Sequence, residues 1–401
     1  MVKKSVFVIG FLILILGLFF IFQNKKNEEK TFSFWTIQLK APAGDIINKN
    51  IEKFKKLHPD IKVVWVDIPI AEAQKRTIAS ILGGNPPDLI NLNPEFSLSL
   101  AQKNTLEFFN EDDAKNFNEG LVNKLKYDGK IYALPFYATS AVTILNKEKF
   151  KNCKINLKTY DDILKLSSCK NPPVFGASLN EGDSFSKILN KYDVNSKTLN
   201  EKNLKNVYFK FYDMNKNGLL LKDTLTITHR ENIEKYMSGS ASFIVAGSNF
   251  ISMIKENAPT IYNNSILLPQ LTGSNGEYDI SIMNFIIPKK AKNKEYAKEF
   301  INLMSDYKSQ MQLAKKTNVL PANKIALNDD YFKNCDSELM ENARCIAAKQ
   351  LNNPIKNDFG YKNKKEINDT INNYLEILLL KGKGEFMAEE LHKKLTEFIQ
   401  N

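Results

Sequence analysis

The stretch GGNPPDLINLN, residues 83–93, sets two glycines, two prolines and one acid directly ahead of a short apolar run. Upstream, residues 71–82 (AEAQKRTIASIL) place Ala71, Lys75, Ile78, Ala79 and Leu82 at spacings of three and four, which predicts a helix. Gly83 and Gly84 can cap its C-terminus, because glycine reaches the left-handed conformation without a Cβ clash. Pro86 and Pro87 forbid continuation, and Leu89, Ile90 and Leu92 then suit a short buried strand. Helix, tight turn and strand form the unit of an α/β domain, with Asp88 at the strand's entrance.

The same alternation extends in both directions. TFSFWTI (31–37) reads as a strand, 45–57 as a helix stopped by His58-Pro59-Asp60, and IKVVWVDI (61–68) as a second strand. Asp128-Gly129 is a hairpin signal, followed by an extended segment broken by Pro135. Residues 158–168 suit a helix, and VFGASLN (174–180) a strand running into a polar loop. SGSASFIVAGSNFISMI (238–254) repeats strand, small-residue turn and helix. Three amphipathic helices follow, marked by Tyr296, Phe300 and Leu303, by Ile371, Tyr374, Leu375 and Leu378, and by Leu391, Leu395 and Phe398. A chain of 401 residues exceeds one ordinary core, so the expectation is an α/β protein of two lobes.

Residues 5–22 (SVFVIGFLILILGLFFIF) carry no charge, follow Lys3 and Lys4, and just reach spanning length. No small-residue cleavage pattern and no cysteine follow, so 1–30 is read as a signal anchor or signal peptide that places the rest at the periplasmic or extracellular face of the membrane. The net charge of +11 comes from lysines spread along the chain without a dense block, which fits a solvated surface and no nucleic-acid partner. In an oxidising compartment Cys153 with Cys169, and Cys335 with Cys345, can each close a short loop. The three histidines lie far from these pairs, so no metal site is expected.

Nucleophile elbow, phosphate loop, dinucleotide fingerprint and zinc-protease motif are all missing, and neither an enzyme nor a cofactor is expected. What recurs is polar or aromatic groups at strand ends: Trp35 and Gln38, Asp88 and Asn91, Tyr137, Asn180, and Ser248, Asn249 and Phe250. In open α/β sheets, ligands bind outside the carboxyl ends of strands, so these nine residues are the candidate ligand-binding set.

In FWT (34–36), FKKLHPDIKV (54–63), GGNPPDLI (83–90), DGKIYALPFY (128–137), ILNKEKF (144–150), IIPKKAKNKEYAKEFINLM (286–304) and NVLPANK (318–324) the chain resembles the extracellular solute-binding proteins of family 1. The resemblance implies a periplasmic-binding-protein fold of type II, with three crossovers near 137–142, 279–286 and 318–324. The lobes would be 31–138 with 283–322, and 139–282 with 323–401. It further implies a monomer that captures a small solute, a carbohydrate or polyol, for the transmembrane permease subunits of an ABC importer. Asp88 would stand at the cleft edge, bonding a hydroxyl or fixing a loop. Sugar-binding relatives carry a tryptophan in the segment matching VAGSNFI, where this chain has Ser248, so stacking would fall to Trp35, Tyr137 or Phe250. The alternative is a membrane-anchored sensory or scaffold domain of the same fold.

Overall fold

The computed structural model describes residues 30–248, 250–335, 338–360 and 362–400, so the apolar segment 5–22 and Asn249 lie outside the described residues. Among the described residues no helix is long and apolar enough to cross a membrane.

The chain opens with β1 (Lys30–Ile37), which pairs in parallel with β2 (Ile61–Ile68) along its whole length and with β3 (Leu89–Leu92) at Phe34 and Trp35. The helix between β1 and β2 starts at Lys40, earlier than the spacing of its isoleucines predicts. Asp67 of β2 explains this start, because its carboxylate accepts the N–H groups of Leu39 and Lys40, both at 2.9 Å. Pro42 then falls in the first turn, where no intrahelical N–H is needed.

Around residues 83–93 the expected unit is present. The helix Ile70–Leu82 ends where Gly83 N–H meets Ala79 O at 2.9 Å, Gly84 turns at φ +76°, and all four residues of β3 are buried. The buried face of that helix differs from expectation: Ala73 and Thr77 are covered, whereas Leu82 is 79% exposed and Ile78 also points outward. Two stripes satisfy the three-and-four spacing, and the one with small side chains is the one covered.

Asp88 is 4% exposed. Its carboxylate accepts the backbone N–H groups of Ser33 (2.9 Å), Lys292 (3.0 Å) and Asn293 (2.8 Å) and the Asn293 amide (3.1 Å). Of the two roles open to it in sequence, it fills the second: it ties β1 to the loop ahead of the helix Lys294–Met304. Asp128 (φ 48°) and Gly129 (φ 72°) supply the paired positive φ values of a type I′ turn, joining β4 (Lys126–Tyr127) to β5 (Lys130–Ile131).

Next comes β6 (Leu134–Asn146), a strand of 13 residues. The remaining strands are β7 (Phe175–Gly176), β8 (Phe243–Gly247), β9 (Ser265–Pro269), β10 (Ile280–Ile286) and β11 (Leu320–Pro321). The order is β2-β1-β3-β10-β6-β8-β7, with β9 and β11 also on β6. Residues 134–140 of β6 pair with β10, and 141–146 with β8 and β9. Each half of the sheet is covered on both faces. On one side Phe34, Phe54 and Phe300 pack together, with Ile90, Leu92 and Leu100 on the opposite face. On the other, Phe185, Tyr208 and Phe211 face Val142, Ile144 and Ile233 across the strands.

The chain crosses between the halves along β6, again between β9 and β10, and a third time after β11. That third passage runs later than 318–324. Ala326 and Phe332 still pack in the first core, and the helix Leu339–Gln350 straddles the junction, with Ala343 in a core of the second half and Ala347 in the first. The segment 174–180 forms a ladder only at β7, since the chain beyond it turns away to wall a cavity.

Cys153 is bonded to Cys169, and Cys335 to Cys345, with Cα atoms 5.4 Å apart in each pair. Loss of the second bond through Cys345→Ser is expected to cost about 2–3 kcal/mol for a loop of this length. A peptide map of the exported protein without reductant checks the linkage. Asp88→Ala leaves three partly buried backbone N–H groups without their acceptor and is expected to lower stability by about 2–4 kcal/mol. Urea unfolding reads this, and an unchanged midpoint would show that the carboxylate is not the tie between β1 and that loop.

Candidate functional site

At Ser140 and Ala141, where β6 passes from the first half of the sheet to the second, lies a cavity of about 380 Å³. That is a volume suited to a small molecule. One wall is β6 itself, through Thr139, Ser140 and Ala141, and another is the end of β8, through Val245, Ala246 and Gly247. Ala177, Ser178 and Leu179, which follow β7, close a third side.

Two helices begin at the cavity and bring the positive ends of their dipoles to it. His229 opens the helix His229–Met237, whose start is fixed by reciprocal bonds between Thr228 and Glu231, at 2.7 Å and 3.3 Å. Phe250 opens the helix Phe250–Asn257, and the two rings meet edge to face at 5.3 Å. Burial lowers the His229 pKa, with Lys187 adding to the effect and Glu181 opposing it. One turn into its helix, Asn232 is 2% exposed; its amide N–H donates to Gly176 O at 3.1 Å while Oδ1 meets no donor. Only glycine fits at 176, because a Cβ there would stand 2.5 Å from that oxygen.

The floor is charged. Lys187 and Lys191 lie at and just beyond the helix Ser184–Asn190, one turn apart. Lys187 bridges Asp183 (3.2 Å) and Asp279 (3.3 Å), and Asp279 above all holds its pKa up. Asp279 stays below the usual carboxylate range against the effect of burial, held there by Lys187, then Lys191 and Lys124. Lys191 is 2% exposed and donates to Gln270 Oε1 (2.5 Å) and Leu271 O (2.7 Å). Burial lowers its pKa to about 7; Asp279 works against that shift and Lys187 with it.

Gln270 carries the floor into the crossovers. Its Oε1 also accepts from Asp279 N (2.8 Å), and its N–H donates to Gln350 Oε1 (2.6 Å). Gln350 in turn donates to Ser140 Oγ (2.7 Å) and Ala141 O (2.9 Å). Beyond Lys187 and Asp279 a second space of about 80 Å³ opens, where Lys364 bridges Glu95 (2.9 Å) and Asp183 (3.3 Å). Burial opposes the charge on Lys364, yet Glu95 and Asp183 raise its pKa. Glu95 belongs to the helix Pro94–Gln102, packed on the first half, and Lys364 to the helix Lys364–Lys381, packed on the second.

The residues singled out in the sequence are not all brought together. Phe250 lines the cavity, Ser248 follows its Gly247, and Asn180 follows its Leu179 with Oδ1 buried and unpartnered. Tyr137 packs against the first core, and burial pushes its hydroxyl up to about 12. Trp35 is half-buried against the opposite face of that half, and Gln38 is exposed at φ 50°. Asp88 lies in its loop tie, and Asn91 is fully buried with its amide on Asn284 O at 3.1 Å. Asp88 does not line the cavity at Phe250, and its carboxylate is bonded within its own half. Lys187, Lys191, His229, Asn232, Gln270 and Asp279 were not anticipated. The capping signal in THRE (228–231) could have marked a helix starting with His229, and GDSFSKILNK (182–191) could have been read as a helix presenting two lysines. Among the described residues no cluster of His, Cys, Asp and Glu is gathered for a metal ion.

Residues 49–338 match the family described as bacterial extracellular solute-binding protein. An uncharacterized ABC transporter extracellular-binding protein of Pyrococcus horikoshii is 24% identical over 340 residues, covering 76% of this chain and 74% of that protein. Among solved structures, a putative oligosaccharide periplasmic-binding protein from Synechococcus superposes with a TM-score of 0.80 at 19% identity, over 92% of this chain and 99% of that one. The maltose-binding periplasmic protein of Listeria monocytogenes, solved in complex with maltose, gives 0.71 at 20%, over 93% and 99%. Two lobes sharing β6, a cavity at their junction and a family match over most of the chain agree: the protein belongs to the bacterial extracellular solute-binding family and has its two-lobed α/β fold.

Proposed function

We propose that the protein is the substrate-binding component of an ABC-type importer and captures a carbohydrate or polyol in the cavity beside Ser140. The observation that carries this reading is the mixed lining at the crossovers. Ser140, Ser178, Asn232 and Gln270 offer donors and acceptors in fixed directions, while Phe250 and Tyr160 offer flat apolar faces. Hydroxyl-rich solutes need both kinds of surface. The sugars named for the maltose-binding and oligosaccharide-binding neighbours point the same way. Binding without catalysis is the proposed activity.

In this reading the two lobes that share β6 act as the two bodies, with the third boundary after Phe332 instead of at 322, and a bound solute draws them together. Ser248, Asn249, Phe250 and Asn180 contact the solute from one body. Trp35, Gln38 and Tyr137 approach from the other on closure. The closed form docks as a monomer on the permease subunits, and residues 5–22 hold the protein at the outer face of the membrane.

A thermal-shift screen of the full-length protein in mild detergent against glucose, maltose, glycerol and short peptides tests the reading. A solute present at a hundred times its Kd is expected to add about 2.7 kcal/mol of stability. Stabilisation by peptides alone would replace it. Phe250→Ala is expected to weaken sugar binding by about 1 kcal/mol, roughly fivefold in Kd. Lys364→Ala removes the cation between Glu95 and Asp183. Only the pair with Glu95 joins the two halves, and with a partly exposed pair contributing ~0.2–1 kcal/mol the closed-to-open ratio should fall about 1.4- to fivefold. Small-angle scattering would register this as a larger radius of gyration, and an unchanged profile would count against a latch at Glu95.

A further inference from the structure

Lys191 poses a problem that capture of a neutral sugar does not solve. A lysine ammonium is rarely this deeply covered without an acidic partner, because the charge loses its hydration. Both acceptors of Lys191, Gln270 Oε1 and Leu271 O, are neutral carbonyls. Among the described residues no carboxylate lies within ion-pair distance of it. The charged groups around it are accounted for otherwise: Asp279, on the crossover, is bonded by Lys187, and Lys187 also has Asp183. The ring of Tyr160 flanks the amine, 5.5 Å from Nζ. With two of its N–H groups taken, Lys191 retains one for whatever fills the cavity it lines.

Two further features constrain that occupant. Asn232 Oδ1, buried in the cavity wall without a donor, calls for a hydroxyl or N–H from the solute. The helices starting at His229 and Phe250 favour negative charge at the same wall. A dianionic phosphate would need several donors, usually including arginine, and no arginine lines the cavity. One available N–H fits a single carboxylate.

We propose that the solute is a carboxylate-bearing sugar, an acidic monosaccharide or a short chain of them, whose carboxylate pairs with Lys191 while a hydroxyl donates to Asn232. This rests on the carbohydrate reading and narrows it. The pairing needs the ammonium form of Lys191. Because burial lowers that amine's pKa to about 7 in the empty site, it is mostly charged at pH 6 and mostly neutral at pH 8. Binding at the higher pH must therefore take up a proton, and affinity must fall as pH rises.

Isothermal titration of the full-length protein in mild detergent, with galacturonate, glucose, maltose and glucose 6-phosphate at pH 6 and pH 8, tests this. Galacturonate should bind more tightly than glucose, weaken about tenfold from pH 6 to pH 8, and take up close to one proton at pH 8, read from buffers of different ionisation heat; proton release would count against the pairing. Lys191→Met should weaken galacturonate at least tenfold and abolish the pH dependence. If that variant does not fold, the pH profile of the native protein decides alone. Tighter binding of neutral sugars, or of glucose 6-phosphate, or a galacturonate affinity flat between pH 6 and pH 8, would overturn the inference and leave carbohydrate capture standing. Failure of every sugar would remove both.

Discussion

Because β6 gives its first half to β10 and β11 and its second to β8 and β9, its backbone must change partners in mid-strand without leaving a buried N–H or C=O unpaired. Gln350 meets that demand. From the helix that straddles the junction it reaches Ser140, Ala141 and, through Gln270, the second crossover. One amide side chain thus joins elements from all three passages between the lobes. A change in the angle between lobes has to be absorbed around this clasp, since the cores on either side are close-packed and resist deformation. The cavity abuts the same point, so its shape and the interlobe angle are mechanically linked.

The fold was legible in the sequence where local rules and tertiary demands coincide. Pro86 and Pro87 after Gly83 and Gly84 leave the chain no option but to end a helix, and the four-residue strand that follows is apolar enough to be buried on both faces. Asp128-Gly129 dictates its own turn. The site was less legible, and Asp88 shows why. An acid at the mouth of a strand has the same sequence signature whether it faces a ligand or ties down a loop. The choice was made by Ser33, Lys292 and Asn293, the last two more than two hundred positions away in the chain. Helix phase failed similarly at residues 70–82, where burial went to Ala73 and Thr77.

The lysines were missed for a different reason. A lysine-rich chain with net charge +11 makes any single lysine look like surface, and Lys187 and Lys191 sit in a stretch that reads as ordinary polar helix. Composition carries no information about which two of many cations are drawn inward. Burial does, because it converts an inexpensive surface charge into one that must be neutralised, hydrogen-bonded or lowered in pKa. Lys187 takes the first course through Asp183 and Asp279, and Lys191 takes the second and third.

That division bears on the proposed coupling of binding to closure. Lys191 holds the same Gln270 that Gln350 holds, so a group arriving at Lys191 acts on the floor of the cavity and on the crossover clasp at once. Lys187, by contrast, continues through Asp183 and Lys364 to Glu95 on the facing lobe, an ion-pair chain that spans the interlobe gap. Partly exposed pairs of this kind contribute little each and are weakened by salt, which suits the proposed opening and closing of the lobes. The deep amine, shielded from salt by burial, is suited instead to sensing what the cavity holds. In the proposed mechanism selectivity at the floor falls to the buried Lys191 and reversibility at the rim to the partly exposed Lys364, a division set by how far each is removed from water.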